Sequence, residues 1–228
     1  MTSLKFRLWD LPTRLFHWLL VVAVLASLIT GQIGGGLMDW HGRIGLVIVG
    51  LIAFRFVWGV LGSTYARFSQ FFPTLTKLKA YRLGTWHGVG HNPFGALSVF
   101  ALLGVLTVQL VTGLFSNDDI TFVGPLFDLV SKTLSNRLTG IHHFVSNVLI
   151  ALVLLHVGAI GYYGHVKKEK LIKPMLAGWH EGDGQSAKGG GFIVFLIALV
   201  IASAVVYGAS GVWLPEPPVV PTAETPGW

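Results

Sequence analysis

The chain has 228 residues, of which 53% are hydrophobic and only 11% are charged. This composition is typical of a protein embedded in a membrane and excludes an ordinary soluble domain. The sequence contains no cysteine, which excludes disulfides, iron–sulfur clusters and the covalent attachment of a c-type haem. The formal net charge of +6 requires no nucleic-acid partner, because anionic lipid head groups attract basic residues beside membrane spans.

Five apolar runs, each of about 20 residues, are long enough to cross a bilayer. In chain order they lie near residues 12–31, 41–62, 94–115, 140–163 and 192–213. They predict an all-α integral membrane protein with a four-helix transmembrane bundle and a fifth, C-terminal transmembrane helix. We assign residues 1–175 to the bundle, and residues 176–228 to a loop, the fifth helix and a Pro-rich tail. No internal repeat is evident.

The segments between the spans also carry patterns. The middle of the basic and aromatic loop after the second span predicts a short helix at the membrane interface. The loop after the third span holds apolar residues at helical spacing, which predict an amphipathic cap: Leu126, Leu129, Val130, Leu134 and Leu138. Six tryptophans near the span ends fit an aromatic belt: Trp9, Trp18, Trp40, Trp58, Trp179 and Trp213. Glycines of the third span, Gly113 among them, fit close helix packing.

The basic residues predict the orientation in the membrane. An odd number of spans puts the termini on opposite sides, and 13 of the 16 Lys and Arg residues fall on the N-terminal side. The positive-inside rule then makes the N-terminus cytoplasmic and the C-terminus periplasmic in a bacterial inner membrane. The basic start and first apolar run resemble a signal peptide. No convincing cleavage site follows, so we expect the first span to be retained.

Four histidines lie inside these apolar spans, where a polar side chain is costly and marks a functional site. His142 and His156 are 14 residues apart in the fourth span. At roughly 100° per residue they are about 40° apart around the helix, so both point to one face. They are about 21 Å apart along its axis, so they lie at two depths.

The chain order supplies a partner at each depth. The first span runs outward, so its early His17 lies at the inner level with His156. The second span begins outside, so His41 lies at the outer level with His142. Two pairs of imidazoles at two depths predict the axial ligands of two stacked, non-covalent b-type haems.

Two further residues of the second span fit this arrangement. Arg55 follows His41 by 14 residues, so it faces the same groove at the inner level. Its guanidinium suits the propionates of the inner haem, although it equally suits the inner lipid head groups. Gly45, one turn from His41, leaves room for a flat porphyrin.

The other histidines are predicted to have no part in the site. His143 lies about 220° around the helix from His156 and faces elsewhere, in packing or a loop hydrogen bond. His87, His91, His165 and His180 fall in loops, where solvated surface histidines are the default. His87 and His91 could also lie near a quinone site, on weak grounds.

Several segments also carry a family resemblance. The opening WDLPTRLFHWLL, DWHGRIG with its later RFVWG, GHNPFGAL, and LTGIHH followed by LLHV resemble the bacterial cytochrome b561 family over most of residues 1–175. That family includes the cytochrome b subunits of nickel–iron hydrogenases. The resemblance implies a four-helix core with two b haems on His17, His41, His142 and His156, with quinone chemistry and an outer redox partner.

These observations together predict a transmembrane di-haem cytochrome of the respiratory chain. It would pass electrons between the quinone pool, ubiquinone or menaquinone, and a periplasmic c-type cytochrome or hydrogenase-like protein. The chain is then an electron carrier or a subunit of a quinone-linked oxidoreductase, with no catalytic side chain assigned. One alternative is a stand-alone oxidoreductase that oxidises a small molecule such as superoxide and reduces quinone. Another is a His-lined divalent-metal transporter, although the span interiors contain no Asp or Glu.

Overall fold

Helices make up most of the protein in the computed structural model, which describes residues 5–215. In chain order the helices are α1 (Leu11–Ile33), α2 (Met38–Leu61), α3 (Phe68–Phe71), α4 (Leu75–Arg82), α5 (Pro93–Leu114), α6 (Lys132–His165), α7 (Ile172–Ala177) and α8 (Gly191–Ala209). Helices α1, α2, α5, α6 and α8 are long and apolar enough to cross a membrane. The predicted all-α membrane fold is therefore confirmed. Residues 216–228 of the predicted tail lie outside the described residues.

The long helices run between two ends of the bundle. We call the end that holds residues 5–10 and the connections 62–92 and 166–190 the basic end. The opposite end, with the connections 34–37 and 115–131, is the acidic end. On the acidic side of this division fall Asp39, Asp118, Asp119 and Asp128, and on the basic side fall most of the lysines and arginines.

The spanning helices pack as two pairs. Helix α1 lies along α2, and α5 lies along α6, while the two pairs meet chiefly where α2 contacts α5. Short loops between the members of the first pair, and close packing within both, favour this hairpin-like arrangement. The space between the pairs is therefore lined by side chains of α1, α2, α5 and α6.

Helix α8 packs on α2. Its contact face includes Phe195 and small residues, of which Ala198 and Ala202 are buried. Gly50 of α2 lies so close to α8 that a Cβ built on it would be 3.0 Å from Val206 Cγ2. Small residues let two membrane helices approach closely, since van der Waals contact rather than water exclusion drives their association. The fifth helix, α8, therefore packs along α2 and stabilises it.

At the basic end the start of the chain is paired with the connection before α8. Strand β1 (Lys5–Arg7) runs antiparallel to β2 (Trp179–Glu181), and the backbone N–H of Leu8 donates to Gly178 O at 2.8 Å. The sequence showed no sign of this pairing, because strands of three residues are too short to show a period. The predicted short helix of the first basic connection is present as α4, and Thr74 caps its N-terminus.

Two of the six tryptophans assigned to an aromatic belt lie inside the protein instead. The exposed fraction is 6% for Trp9 and 2% for Trp58, whereas Trp18, Trp40, Trp179 and Trp213 are exposed. The belt interpretation is wrong for the first two. The reason is packing between distant segments: Trp58 lies against Phe54 and Phe195, and its indole N–H has a carboxylate partner.

That partner is Asp10, which joins the start of α1 to the end of α2. Its Oδ1 accepts the N–H of Thr13 at 2.8 Å and so caps α1, and its Oδ2 accepts the Trp58 Nε1–H at 2.9 Å. Pro12 follows in the first turn, where the missing N–H is harmless. The WDLP segment thus positions the turn of α1 that carries His17.

Replacing Asp10 with Ala should lower the thermal unfolding midpoint of the detergent-solubilised protein, because it removes both bonds. A lost helix cap costs about 1 kcal/mol, and a lost buried hydrogen bond costs a similar amount. Asp10→Asn is the matched control, since it keeps the cap but lacks the second carboxylate oxygen; it should lose about half as much. Equal midpoints for all three proteins would contradict this role.

The acidic end differs from its prediction in one respect. Residues 126–138 do not form a separate amphipathic helix: Phe127–Leu129 is a single 3-10 turn, and α6 already begins at Lys132 with Ser131 as its cap. The loop before it still covers this end of the bundle. Asp118 organises that loop by accepting the backbone N–H groups of Ile120, Phe122 and Thr121. These bonds hold the pKa of Asp118 below its ordinary value, so the loop keeps them at neutral pH.

Candidate haem sites

The acidic-end site is built around His41 of α2 and His142 of α6. The centroids of the two imidazole rings are 6.1 Å apart, and the ring planes are nearly perpendicular. Two imidazoles that bind one metal from opposite sides, with metal–nitrogen bonds of about 2 Å, have centroids roughly 6 Å apart. The predicted pair is therefore brought together at the separation that a shared iron requires.

Each of these histidines is held by a backbone carbonyl of the neighbouring helix. The Nδ1–H of His41 donates to Ser27 O of α1 at 3.0 Å, and the Nδ1–H of His142 donates to Gln109 O of α5 at 2.9 Å. A metal-binding histidine usually donates its second N–H in this way, which sets the tautomer. Nε2 is then the nitrogen of each ring that a metal would take; in His142 it accepts the side-chain N–H of Gln109 at 3.1 Å, which a bound metal would displace.

Two glycines make room for these rings. A Cβ on Gly31 would lie 2.9 Å from His41 Cε1, and a Cβ on Gly113 would lie 2.8 Å from His142 Cε1. Both distances are shorter than a side chain tolerates. The sequence assigned Gly113 only to helix packing and did not single out Gly31. Their contact with the histidines depends on how the helices pair, which no local pattern shows.

A cavity of about 390 Å³ adjoins the two histidines between the helix pairs. Apolar side chains of all four helices make most of its wall, and Gly45 borders it with no atom within 4 Å of its Cβ position. The loop that contains Phe122 covers its outer mouth. No residue of α8 is part of this wall. A flat, apolar cofactor with two imidazole ligands fits these surroundings.

The basic-end site is assigned to His17, His156 and Arg55. His17 lies six residues after the start of α1, Arg55 six residues before the end of α2 and His156 nine residues before the end of α6, so all three fall towards the basic end. The Nδ1 of His156 is 3.4 Å from Ser98 Oγ, while the Nδ1 of His17 is buried and has no partner among the described residues. Within the described residues, neither of these two rings is held by a backbone carbonyl, unlike the rings of His41 and His142.

Arg55 lies inside the protein rather than at the lipid head groups. Its exposed fraction is 4%, its Nη1 donates to Ala66 O at 3.0 Å, and its guanidinium stacks over Phe68 at 4.5 Å. Phe16, the neighbour of His17, is also in contact range at 5.9 Å. The alternative that Arg55 reaches the inner lipid head groups does not describe this side chain. The buried cation instead faces the level of the basic-end histidines.

His91 belongs to this region too, against the expectation of a solvated loop histidine. The centroid of its imidazole ring is 4.7 Å from the ring centroid of Trp9 and 4.5 Å from that of Phe71. Burial, and then the charges of Arg55 and the site histidines, lower the pKa of His91 to about 3, so the ring is neutral at physiological pH. The one available signal was the following Asn92–Pro93, because Asn92 caps α5 and so fixes His91 against the bundle.

His143 is more exposed than His142, and its ring lies 6.3 Å from that of its neighbour. It also borders the cavity, so it is not turned fully away from the site. Its ring has no carbonyl partner of the kind that holds His142. The geometry therefore still favours His142 as the ligand.

Comparison with known proteins agrees with this architecture. The family model described as prokaryotic cytochrome b561 matches residues 8–178, about three quarters of the chain. Two curated relatives, from Azotobacter chroococcum mcd 1 and Azotobacter vinelandii, are both named probable Ni/Fe-hydrogenase B-type cytochrome subunit. Each is 25% identical over 215 residues, with 75% of this chain and 86% of the relative covered.

The fold and its paired intramembrane histidines define a multi-pass, all-α membrane cytochrome of b type. The chain belongs to the prokaryotic cytochrome b561 family. The resemblance seen in the sequence is thereby confirmed, and with it haem b as the cofactor and transmembrane electron transfer as the general role. The residues around His41 and His142 fit that cofactor in separation, tautomer and space.

Proposed function

We propose that the protein binds two b haems, one at each end of the bundle, and carries electrons across the membrane between a quinone and a redox protein. His41 and His142 would hold the acidic-end haem, and His17 and His156 the basic-end haem. The observation that carries this proposal is the 6.1 Å separation of the His41 and His142 rings, with both Nδ1–H groups directed to carbonyls. His156 follows His142 by 14 residues and lies on nearly the same face of α6, which supports a second pair at the basic end.

When bound, haem supplies reversible one-electron chemistry at its iron. The protein contributes ligands, orientation and electrostatics. His41 and His142 would contribute their Nε2 atoms as ligands. Arg55 supplies a buried positive charge at the basic end, which would suit the negative charge of haem propionates. The largely apolar wall of the acidic-end cavity limits the access of water to His41 and His142, which strengthens their interactions.

The orientation and partners rest on charge. The positive-inside rule supports a cytoplasmic basic end in the bacterial inner membrane, with the acidic end in the periplasm. An acidic surface suits a periplasmic redox protein with a basic docking face. The curated relatives are named as probable hydrogenase cytochrome subunits, which supports a hydrogenase-like partner, with a c-type cytochrome as the alternative. The quinone, ubiquinone or menaquinone, would exchange electrons with the other end.

The arrangement of titratable groups favours this proposal over a metal transporter. Within residues 5–215, no three or more His, Asp or Glu side chains form a group that could hold a metal ion. The histidines of α2 and α6 meet as a pair, which suits the two axial positions of a haem iron. No observation in the structure favours superoxide as a substrate.

The proposal is tested with the full chain purified in detergent and then placed in sealed vesicles. A pyridine haemochrome assay should give two b haems per polypeptide. Vesicles that contain ferricyanide should consume external dithionite at a rate that depends on the protein, since neither reagent crosses lipid. A quinol added in detergent should reduce the haems. Haem-loaded vesicles that transfer no electrons would contradict the transmembrane role. Haems that no quinol reduces would contradict the proposed exchange of electrons with a quinone.

A further inference from the structure

The acidic-end site contains a short repeat. Helix α1 carries Ser-Leu-Ile-Thr-Gly at 27–31, and α5 carries Gln-Leu-Val-Thr-Gly at 109–113. Three of the five residues are identical, and Ile and Val are close in shape. The histidines they serve follow at different distances, ten residues after Gly31 and 29 residues after Gly113. This difference in spacing hides the repeat in the sequence.

The two segments share the placing of one carbonyl and one glycine. The first residue of each gives its carbonyl to a histidine Nδ1–H, at 3.0 Å from Ser27 and 2.9 Å from Gln109. The glycine four residues later removes the side chain that would block that carbonyl, since residues four apart lie on one face of a helix. Cβ atoms built on Gly31 and Gly113 would both meet the imidazole Cε1 first and Nδ1 second.

The hydroxyl groups of the two threonines also make matching hydrogen bonds within their own helices. The Thr30 hydroxyl donates to Ala26 O at 2.8 Å and to Ser27 O at 3.1 Å. The Thr112 hydroxyl donates to Val108 O at 2.8 Å and to Gln109 O at 3.1 Å. In each case the hydroxyl shares with an imidazole the one carbonyl that holds that imidazole. Each threonine is therefore joined to a proposed iron ligand through that shared carbonyl. The Thr112 hydroxyl also lies 3.4 Å from His142 Nδ1, the position that the Ser27 hydroxyl takes beside His41 Nδ1.

We infer that the two segments form a matched clamp, in which Thr30 and Thr112 are positioning residues that set the redox potential of the acidic-end haem through His41 and His142. This inference rests on the proposed function. An N–H that donates strongly to a carbonyl makes the imidazole a more basic ligand, which favours oxidised iron. A hydroxyl that competes for that carbonyl weakens the donation and so raises the potential.

The test measures the midpoint potentials of both haems in Thr30→Val, Thr112→Val and the double variant. Valine keeps the shape of threonine and removes the hydroxyl, so folding is preserved in an apolar span. Each single change should favour the oxidised acidic-end haem by about threefold, which is roughly 30 mV at 59 mV per tenfold. The double variant should show about the sum of the two single shifts, and the basic-end haem should not shift.

Thr107→Val is the matched control, because Thr107 of α5 bonds only to Leu103 O of its own helix and should shift neither potential. Gly31→Ala and Gly113→Ala should each remove the acidic-end haem, while Gly104→Ala should keep both haems, since no atom lies within 4 Å of its Cβ position. Unchanged potentials, a shift for only one threonine, or equal shifts in both haems would overturn the clamp. If the unaltered protein binds one haem, the two-haem proposal is wrong but the clamp is not. The threonine variants would then still test the clamp on that haem.

Discussion

Replacing His142 with Ala is expected to remove one of the two haems and leave the other in place. The ring of His142 is half-buried, is held by Gln109 O, and lies 6.1 Å from its partner His41. No other histidine of α6 has this set of contacts. The haem content should fall from two towards one per polypeptide in the pyridine haemochrome assay. The low-spin signal that disappears from the electron paramagnetic resonance spectrum should be the one that His41→Ala also removes.

His143→Ala is the control for this experiment, because it removes the adjacent imidazole and leaves His142 with its carbonyl partner. That variant should keep both haems and both low-spin signals. Loss of a haem in His143→Ala but not in His142→Ala would show that His143, rather than His142, is the ligand. Loss of different signals in His41→Ala and His142→Ala would break the proposed pairing, and the four histidines would then need a new arrangement.

The sequence alone was sufficient for the parts of the molecule that depend on one helix at a time. Apolar length predicts each span, and the regular 3.6-residue turn places His142 and His156 on one face at two depths. The alternation of spans then pairs His41 with His142, which the structure brings together. Each of these steps uses a property that a helix keeps whatever its neighbours are.

The missed features all depend on contacts between distant segments. His91 was assigned to solvent because a loop has no period, yet Trp9 and Phe71, from two other segments, enclose its ring. Trp58 was assigned to lipid because it lies at a span end, yet Asp10 holds it inside. The role of Gly31 could not be seen, because it exists only once α1 is packed against α2. Packing, rather than local preference, decides such positions.

Replacing Arg55 with Leu is expected to lower the midpoint potential of the basic-end haem. A buried positive charge favours the state with the additional electron, so removing it favours the oxidised state. Arg55 is 4% exposed, and little water is available to screen it. Asp10 lies close enough to act on Arg55 electrostatically and stays in place when the cation is removed, which shifts the potential in the same direction. A change of about tenfold, or 59 mV, is expected in a redox titration.

Arg55→Lys separates the charge from the shape of this side chain. Lysine keeps the positive charge but loses the planar group that stacks on Phe68 and the fixed bond to Ala66 O. If the charge controls the potential, the lysine variant should retain most of the parent value while the leucine variant does not. The acidic-end haem serves as the internal reference, since it lies at the other end of the bundle. An unchanged titration in Arg55→Leu would show that the buried guanidinium serves packing alone, and equal shifts in both variants would show that its geometry, rather than its charge, acts on the haem.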